Sequence, residues 1–478
     1  MTESLRPTGS ERPVASSGEG RPATRPNIVF ILADDLGWAD LGCFGSTDIR
    51  TPQLDRLAAG GVRFTHAYAG SPWCSPTRIS LYTGRYPGRL FAGLSEPLTV
   101  RDEGYGIPHE HPTLPSLLVD AGYETAMFGK WHCGWLPWYS PLKAGFQRFF
   151  GCLDGVVDYF EHLDTLGLHD LWEDETPVEE VGYLTWMISD RAAEYVAQER
   201  DRPFYLQLNY TAPHWPWEGP EDAHVGARIR AEFQAETEPR AYPLYDFHNG
   251  SLAKYAEMVE AMDTGIGRVL DALDARGVTD DTIVCFASDN GGERWSKNWP
   301  FIGEKGDVTE GGIRVPFICR WPAAVAGPQV SEEPNITMDW TATLLDAAGT
   351  RSHPDYPLDG PSLLPWLVEG AEFPTHDLYW RTTSQTALRR GRFKYLWEGR
   401  PRPVLGRWPL YEGEYELLYD VTVDGREAAD LSPHHPDLVA ELRSALQVLE
   451  AQMIPYPADF PGLPRRATED SPAVSQAD

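Results

Sequence analysis

Cysteine is scarce. The 478 residues hold six, Cys43, Cys74, Cys133, Cys152, Cys285 and Cys319. None forms a C-x-x-C pair, which argues against a disulfide-dense scaffold or a zinc ribbon. No apolar run approaches the roughly 18 residues of a membrane-spanning helix. Residues 1–25 are polar, rich in Pro, Ser, Glu and Arg, with no apolar h-region. A cytoplasmic location is therefore the expectation, with a secreted or periplasmic one left open. Positive charge is the third shortage. Lys and Arg number 41 against 71 Asp and Glu, a net charge of −30. Nucleic acid and anionic membranes are recognised through basic patches, so neither is expected as a partner. An anionic substrate would also be repelled at long range. Any anion site must then be a local cationic pocket, which a divalent metal would help to build.

Turn-formers and tryptophan are plentiful, with 44 Gly, 41 Pro and 17 Trp. The length suffices for one large domain and a smaller one. Short continuous apolar runs at 27–32, 123–128, 203–208 and 282–287 read as strands buried on both faces. A further strand is expected at 315–320. Helices are predicted from Thr51-Pro52 to Gly60, and over 114–121, 184–197, 251–273 and 338–348. Residues 86–112 read as a surface excursion, 135–180 as a long decorated loop and 218–248 as irregular. From 371 the texture changes to short alternating segments at 378–382, 386–389, 393–396 and 417–420, then a helix over 436–453. The expected class is α/β. A large mixed, mostly parallel sheet with helices on both faces fills 26–370, and a small C-terminal α+β unit with an antiparallel sheet fills 371–461. Residues 1–25 and 462–478 read as disordered tails.

Each of the four apolar runs ends in polar candidates. These are Asp34 and Asp35, then Lys130 and His132, then His214, then Asp289 and Asn290. Ligands of open parallel sheets bind outside the carboxyl ends of the strands, so these groups are predicted to converge. Asp34, Asp35, Asp289 and Asn290 offer oxygen donors only. That set favours calcium or magnesium over zinc, and calcium over magnesium because four protein side chains are available.

Between the first two runs lies Pro-Trp-Cys-Ser-Pro-Thr-Arg-Ile-Ser-Leu-Tyr-Thr-Gly-Arg, residues 72–85. A helix can start near Pro76, with Cys74 and Arg78 on one side of its first turn and Gly84 as its stop. A sulfur at a helix N-terminus beside a guanidinium sits in a field that suits an anion. The plain alternative for Cys74 is a small buried residue.

The full pattern Cys-x-Pro-x-Arg followed by Thr83-Gly84-Arg85 resembles the type I sulfatase motif, of the formylglycine-dependent, arylsulfatase-like branch of the alkaline phosphatase superfamily. Further blocks resemble that family in order: Asn-Ile-Val-Phe-Ile-Leu-Ala-Asp-Asp-Leu-Gly, Gly-Lys-Trp-His, Ala-Pro-His-Trp-Pro, Ser-Asp-Asn-Gly-Gly, and Gly-Glu-Lys-Gly with Glu-Gly-Gly-Ile-Arg-Val-Pro. The likeness covers about residues 26–455 and implies an alkaline phosphatase-like fold. It also implies hydrolysis of aryl or carbohydrate sulfate esters, with Cys74 oxidised to formylglycine (3-oxoalanine) by a formylglycine-generating enzyme. Asp34, Asp35, Asp289, Asn290 and the modified Cys74 would hold the metal, and Arg78 would steady the hydrated aldehyde. Lys130 and Lys305 would bind sulfate oxygens. His214 would protonate the leaving alcohol, and His132 would take the proton that releases sulfate. Two other readings stay open. One is a phosphonate monoester or phosphodiester hydrolase of the same superfamily, the other a catalytically silent calcium-binding scaffold.

Overall fold

Strand β1 (Asn27–Ala33) is the axis of the fold, because both of its faces are apolar. Ile28, Phe30 and Leu32 enter one core while Val29, Ile31 and Ala33 enter another. The computed structural model describes residues 25–235, 250–398 and 415–457. The other strands of the large sheet are β2 (Val62–Tyr68), β3 (Glu124–Gly129), β4 (Arg148–Gly151), β5 (Trp172–Glu173), β6 (Thr176–Pro177), β7 (Phe204–Asn209), β8 (Thr282–Ser288), β9 (Arg314–Arg320), β10 (Gln329–Ser331) and β11 (Asn335–Ile336). Among the described residues this sheet has 11 strands, in the order β10-β2-β9-β8-β1-β7-β3-β4-β5-β6, with β11 also on β2. The centre is parallel: β1 pairs with β7 and β8, and β3 with β7 and β4. Strand β9 runs antiparallel between β8 and β2.

The helices are α1 (Pro52–Ala59), α2 (Cys74–Thr83), α3 (Leu114–Asp120), α4 (Leu184–Ala197), α5 (Ala223–Ala235), α6 (Leu252–Arg276), α7 (Glu310–Ile313), α8 (Thr337–Ala347), α9 (Leu364–Glu369) and α10 (Pro436–Glu450). Helices α1, α4 and α6 pack on one face of the sheet, through residues such as Leu54, Ile188, Val259 and Ile266. Helices α2, α3 and α8 pack on the other, through Ile79, Leu118 and Trp340. Burial on both faces is what a parallel centre requires. None of the described helices is long and apolar enough to cross a membrane.

A second, antiparallel sheet has the order β12 (Leu378–Arg381), β13 (Gln385–Arg390), β14 (Phe393–Glu398) and β15 (Tyr415–Asp420). Helix α10 covers it with Val439, Leu442 and Leu446, which join Leu388, Tyr395 and Leu418. The same core takes in Tyr68, Ile313 and Met338 from the large sheet's side. The two sheets are therefore joined by continuous apolar packing.

Three expectations need correction. Residues 86–112 are not a surface excursion throughout, since Leu90, Ala92, Leu94 and Leu98 are buried. Their two-residue spacing does not mark a strand, because they lie in and around two three-residue 3₁₀ turns, Pro87–Arg89 and Ala92–Leu94. The stretch 135–180 is not all loop, because β4, β5 and β6 extend the edge of the large sheet. Those strands are four, two and two residues long, too short for a recognisable alternation. Within 218–248, residues 223–235 form α5, and 236–249 lie outside the described residues. Strand β2 was not foreseen at all. Its register shifts between Phe64 and Ala67, which breaks the two-residue period. The expected terminal tails lie outside the described residues except for Arg25.

Candidate active site

Four neighbouring strands, β8, β1, β7 and β3, deliver the predicted groups to one edge. Beyond β1, Asp34 N donates to Ala212 O at 3.2 Å, and Asp289 N, just after β8, donates to Ala33 O at 3.1 Å. These bonds carry the ladder one step past the strands and hold both aspartates side by side. Beyond β3, Gly129 turns the chain with φ of 115°. A Cβ there would stand 1.7 Å from Asn209 O, so only glycine lets Lys130 enter the site at this point. Asp35 and His132 both have positive φ, 63° and 52°. Left-handed backbone in non-glycine residues costs about 1–3 kcal/mol each and clusters where function dictates geometry.

Asp34, Arg78, Lys130, Asp289 and Asn290 are fully buried, and Asp35, Cys74, His132 and His214 nearly so. Lys130 Nζ donates to Asp34 Oδ2 at 2.5 Å, and Lys305 Nζ to Asp35 Oδ2 at 2.6 Å. Arg78 donates to Asp289 Oδ2 from Nε at 3.0 Å and from Nη2 at 2.7 Å. Its Nη1 donates to Lys130 O at 2.9 Å. Asn290 Nδ2 donates to Asp35 Oδ1 at 2.7 Å. Three carboxylates thus face three cations. The cations expected to hold a sulfate sit on the carboxylates expected to hold a metal.

Helix α2 brings Cys74 to this cluster. It starts at Cys74 itself, two residues before Pro76, and ends at Gly84 in the left-handed conformation. Ligand atoms of Asp34, Cys74 and Asp289 lie within 4.8 Å of one another, as do those of Asp34, Asp35 and His214. Lys305 comes from the loop after β8. Its N–H donates to Gly292 O at 3.3 Å, and Gly306 N donates to Pro72 O at 2.9 Å, which ties that loop to the segment entering α2.

The histidines differ in which nitrogen is free. His132 Nε2 faces Leu98 O at 2.9 Å, so it carries the proton, and Nδ1 is buried without a partner among the described residues. His214 Nδ1 faces Trp215 O at 2.6 Å, which leaves Nε2 toward Asp35 Oδ2 at 3.5 Å. Burial, then the Lys130 charge, holds His132 well below its ordinary pKa. Burial, then Lys305, does the same to His214, against the pull of Asp35. Burial pushes the Cys74 thiol up to about 11, although Lys130 and Lys305 pull it down. Burial and the neighbouring Asp34 raise Asp289 to about 6, against Arg78 and Lys130.

The sulfatase family model matches residues 26–350. The chain belongs to the sulfatase family. It is 32% identical over 420 residues to N-acetylgalactosamine-6-sulfatase of Rattus norvegicus, covering 82% of this chain and 75% of that protein. It is 30% identical over 509 residues to arylsulfatase J of Mus musculus, covering 96% and 81%. The crystal structure of Ps i-CgsB superposes with a TM-score of 0.77 at 30% identity, covering 90% of this chain and 94% of that one. This sulfatase is accordingly a hydrolase of sulfate esters with an alkaline phosphatase-like fold.

The residues present suit a hard divalent cation. Among the described residues, Asp34 Oδ1 and Asn290 Oδ1 are buried without a hydrogen-bond partner, next to two further carboxylates. Leaving such oxygens unpaired is costly, and a cation would satisfy them. Sequence reasoning missed several supporting groups of the sulfatase. Asn209 Nδ2 donates to Lys130 O at 2.8 Å, and the Leu98 carbonyl fixes His132. A side chain at Gly155 would place its Cβ 2.4 Å from His132 Cε1. Asn209 ends an apolar run as the others do, so the rule that found Asp34 could have found it. Leu98 and Gly155 carry no chemical signal.

Proposed function

We propose that this sulfatase removes sulfate from a sulfated saccharide, using a formylglycine made from Cys74 and a calcium ion held by Asp34, Asp35, Asp289 and Asn290, with magnesium as the nearest substitute. The observation that carries this reading is the meeting of Cys74 with Asp34 and Asp289, within 4.8 Å, beside Lys130 and Lys305. An unmodified thiol raised to about 11 is protonated at neutral pH and a poor nucleophile. It also lacks the second hydroxyl that would let sulfate leave. A hydrated aldehyde supplies both, one oxygen to attack sulfur and one to expel the product. A divalent cation there would lower the pKa of an oxygen bound to it and neutralise sulfate charge.

The protein's own groups do the rest. Burial alone would favour neutral Lys130 and Lys305. The surrounding negative groups together, led by Asp34 for Lys130 and by Asp35 for Lys305, hold both above the ordinary lysine value, so both lysines stay charged. They hold the sulfate oxygens on which charge accumulates. Arg78 fixes Asp289 and the Lys130 carbonyl, so the nucleophile's neighbours keep their places. His132 presents a bare Nδ1 and a depressed pKa, the features of a base. His214 donates a proton to the leaving alcohol from Nε2. A bound sulfate ester next to it adds the negative charge that favours its charged form.

The saccharide assignment draws on relatives. One is named for N-acetylgalactosamine 6-sulfate, and another, 29% identical, was crystallised with k-i-k-neocarrahexaose. The deciding experiment is the mass of the tryptic peptide spanning residues 64–78, from protein made in a host that modifies such motifs. A peptide lighter than the thiol form and reactive to an aldehyde trap is expected. An unmodified thiol in fully active protein overturns the mechanism. Turnover of 4-nitrophenyl sulfate should exceed that of an aryl phosphodiester, and the reverse order would favour the phosphorus-ester reading.

A further inference from the structure

The block Glu310-Gly311-Gly312 has no part in the chemistry above, yet it is fully buried between the two sheets. Glu310 Oε2 accepts from the Tyr68 hydroxyl at 2.6 Å and from Arg314 Nη1 at 3.2 Å, and Oε1 accepts from Lys394 Nζ at 3.1 Å. Lys394 lies on β14, is completely buried, and pairs with Glu427 Oε1 at 2.9 Å. Glu427 follows β15 on a turn with φ of 50°, and its Oε2 accepts the Glu310 backbone N–H at 2.7 Å. A lysine and a glutamate of the C-terminal unit therefore grip one glutamate of α7, the short helix that leads into β9.

The far side of that block touches the active site. Gly291 N, next to Asn290, donates to Gly312 O at 2.9 Å, and Gly311 N donates to Ile302 O at 2.7 Å. A Cβ on Gly291 would stand 1.9 Å from Gly311 O. Ile302 belongs to the loop that carries Lys305. The same C-terminal turn reaches this loop directly. A Cβ on Gly425 would lie 2.8 Å from Phe301 Cε1, and the Arg426 guanidinium sits 4.1 Å over the Trp299 ring. Segment 310–312 is thus held between Lys394 and Glu427 on one side, and Asn290 and the Lys305 loop on the other.

We propose that Lys394 and Glu427 are positioning residues for sulfate-ester hydrolysis, setting where the Glu310 block places Lys305 and Asn290. Neither touches the reacting atoms. The proposal rests on the role given above to Lys305. Buried ion networks contribute little net stability compared with apolar packing, and in some proteins they select one geometry over its neighbours, the role assigned to this one. A displacement of about 1 Å in a catalytic group can cost up to about 100-fold in rate.

The test is a double-mutant cycle in the matured, calcium-supplied enzyme. Glu427→Gln keeps the shape and removes the charge facing Lys394. With 4-nitrophenyl sulfate, kcat/KM should fall roughly 10-fold, and inhibition by inorganic sulfate should weaken in step. In a Lys305→Ala background the same change should alter kcat/KM by less than about twofold, since coupled residues are not additive. Equal losses in both backgrounds, or unchanged sulfate inhibition, would overturn the proposal. Lys305→Ala with wild-type activity would instead overturn the reading of Lys305 itself, and the proposal with it. Should Glu427→Gln not fold, Gly425→Ala presses on Phe301 from the same turn and goes through the same cycle. The same non-additivity is expected there, and additive losses overturn the proposal.

Discussion

Arg78 offers the sharpest single perturbation. Its side chain has no solvent exposure and makes three hydrogen bonds, two to Asp289 Oδ2 and one to Lys130 O. In Arg78→Lys the charge remains, but one ammonium cannot reproduce a planar fork aimed at two acceptors. The Lys130 carbonyl keeps its bond from Asn209 Nδ2, so it is not orphaned. The loss is then about one charge-assisted bond, roughly 1.5–3 kcal/mol. Arg78→Leu also removes the charge and leaves Asp289 and Asp34 facing each other. Breaking a buried pair in this way costs about 3–5 kcal/mol. Urea unfolding followed by tryptophan fluorescence reads both values as shifts in midpoint at constant slope. Arg78→Leu within about 1 kcal/mol of wild type would refute the reasoning. So would equal destabilisation by the two variants, because charge would then not be the dominant loss.

Asp40 lies outside this cluster and sets a pH dependence. Burial raises its pKa to about 7, although Tyr255 and two backbone N–H groups donate to it. An acid whose folded pKa lies above its unfolded value favours folding when protonated, so its contribution falls as pH rises from about 4 to about 7. Asp40→Asn should remove that slope and gain on the order of 2–4 kcal/mol at pH 8, with no gain at pH 4, by urea unfolding. An equal effect at both pH values would count against it. Gly155→Ala should push the His132 ring aside and lower kcat by at least about 10-fold with little change in melting temperature, measured on 4-nitrophenyl sulfate. Chelation should abolish most activity, with calcium restoring it and magnesium doing so partially. Restoration by zinc but not calcium would contradict the oxygen-only donor set.

The candidate site was legible because its chemistry sits at the ends of apolar strands. Asp34, Lys130, His214 and Asp289 each follow a run of buried residues, and a parallel sheet brings such ends together whatever the sequence distance. The small sheet was legible for a related reason: β12, β13 and β14 follow one another over short turns, and the bounds of all four strands fall within about three residues of those expected. Local pattern failed where packing decided the outcome. Leu98 is an ordinary apolar residue whose carbonyl orients His132, and Gly155 matters only because an imidazole lies against it. No spacing encodes either contact.

Residue identity determined which chemistry this chain could carry: oxygen donors for a hard cation, a cysteine at a helix start, and histidines and lysines beyond strand ends. Tertiary structure decided which groups act on one another. It placed Lys130 and Lys305 on Asp34 and Asp35, left Nδ1 of His132 bare among the described residues, and brought Lys394 and Glu427 of the C-terminal unit onto Glu310. The physical reason is that charge interactions and hydrogen bonds depend on distances of a few ångströms between residues far apart in the chain. Those distances exist only once both cores have packed.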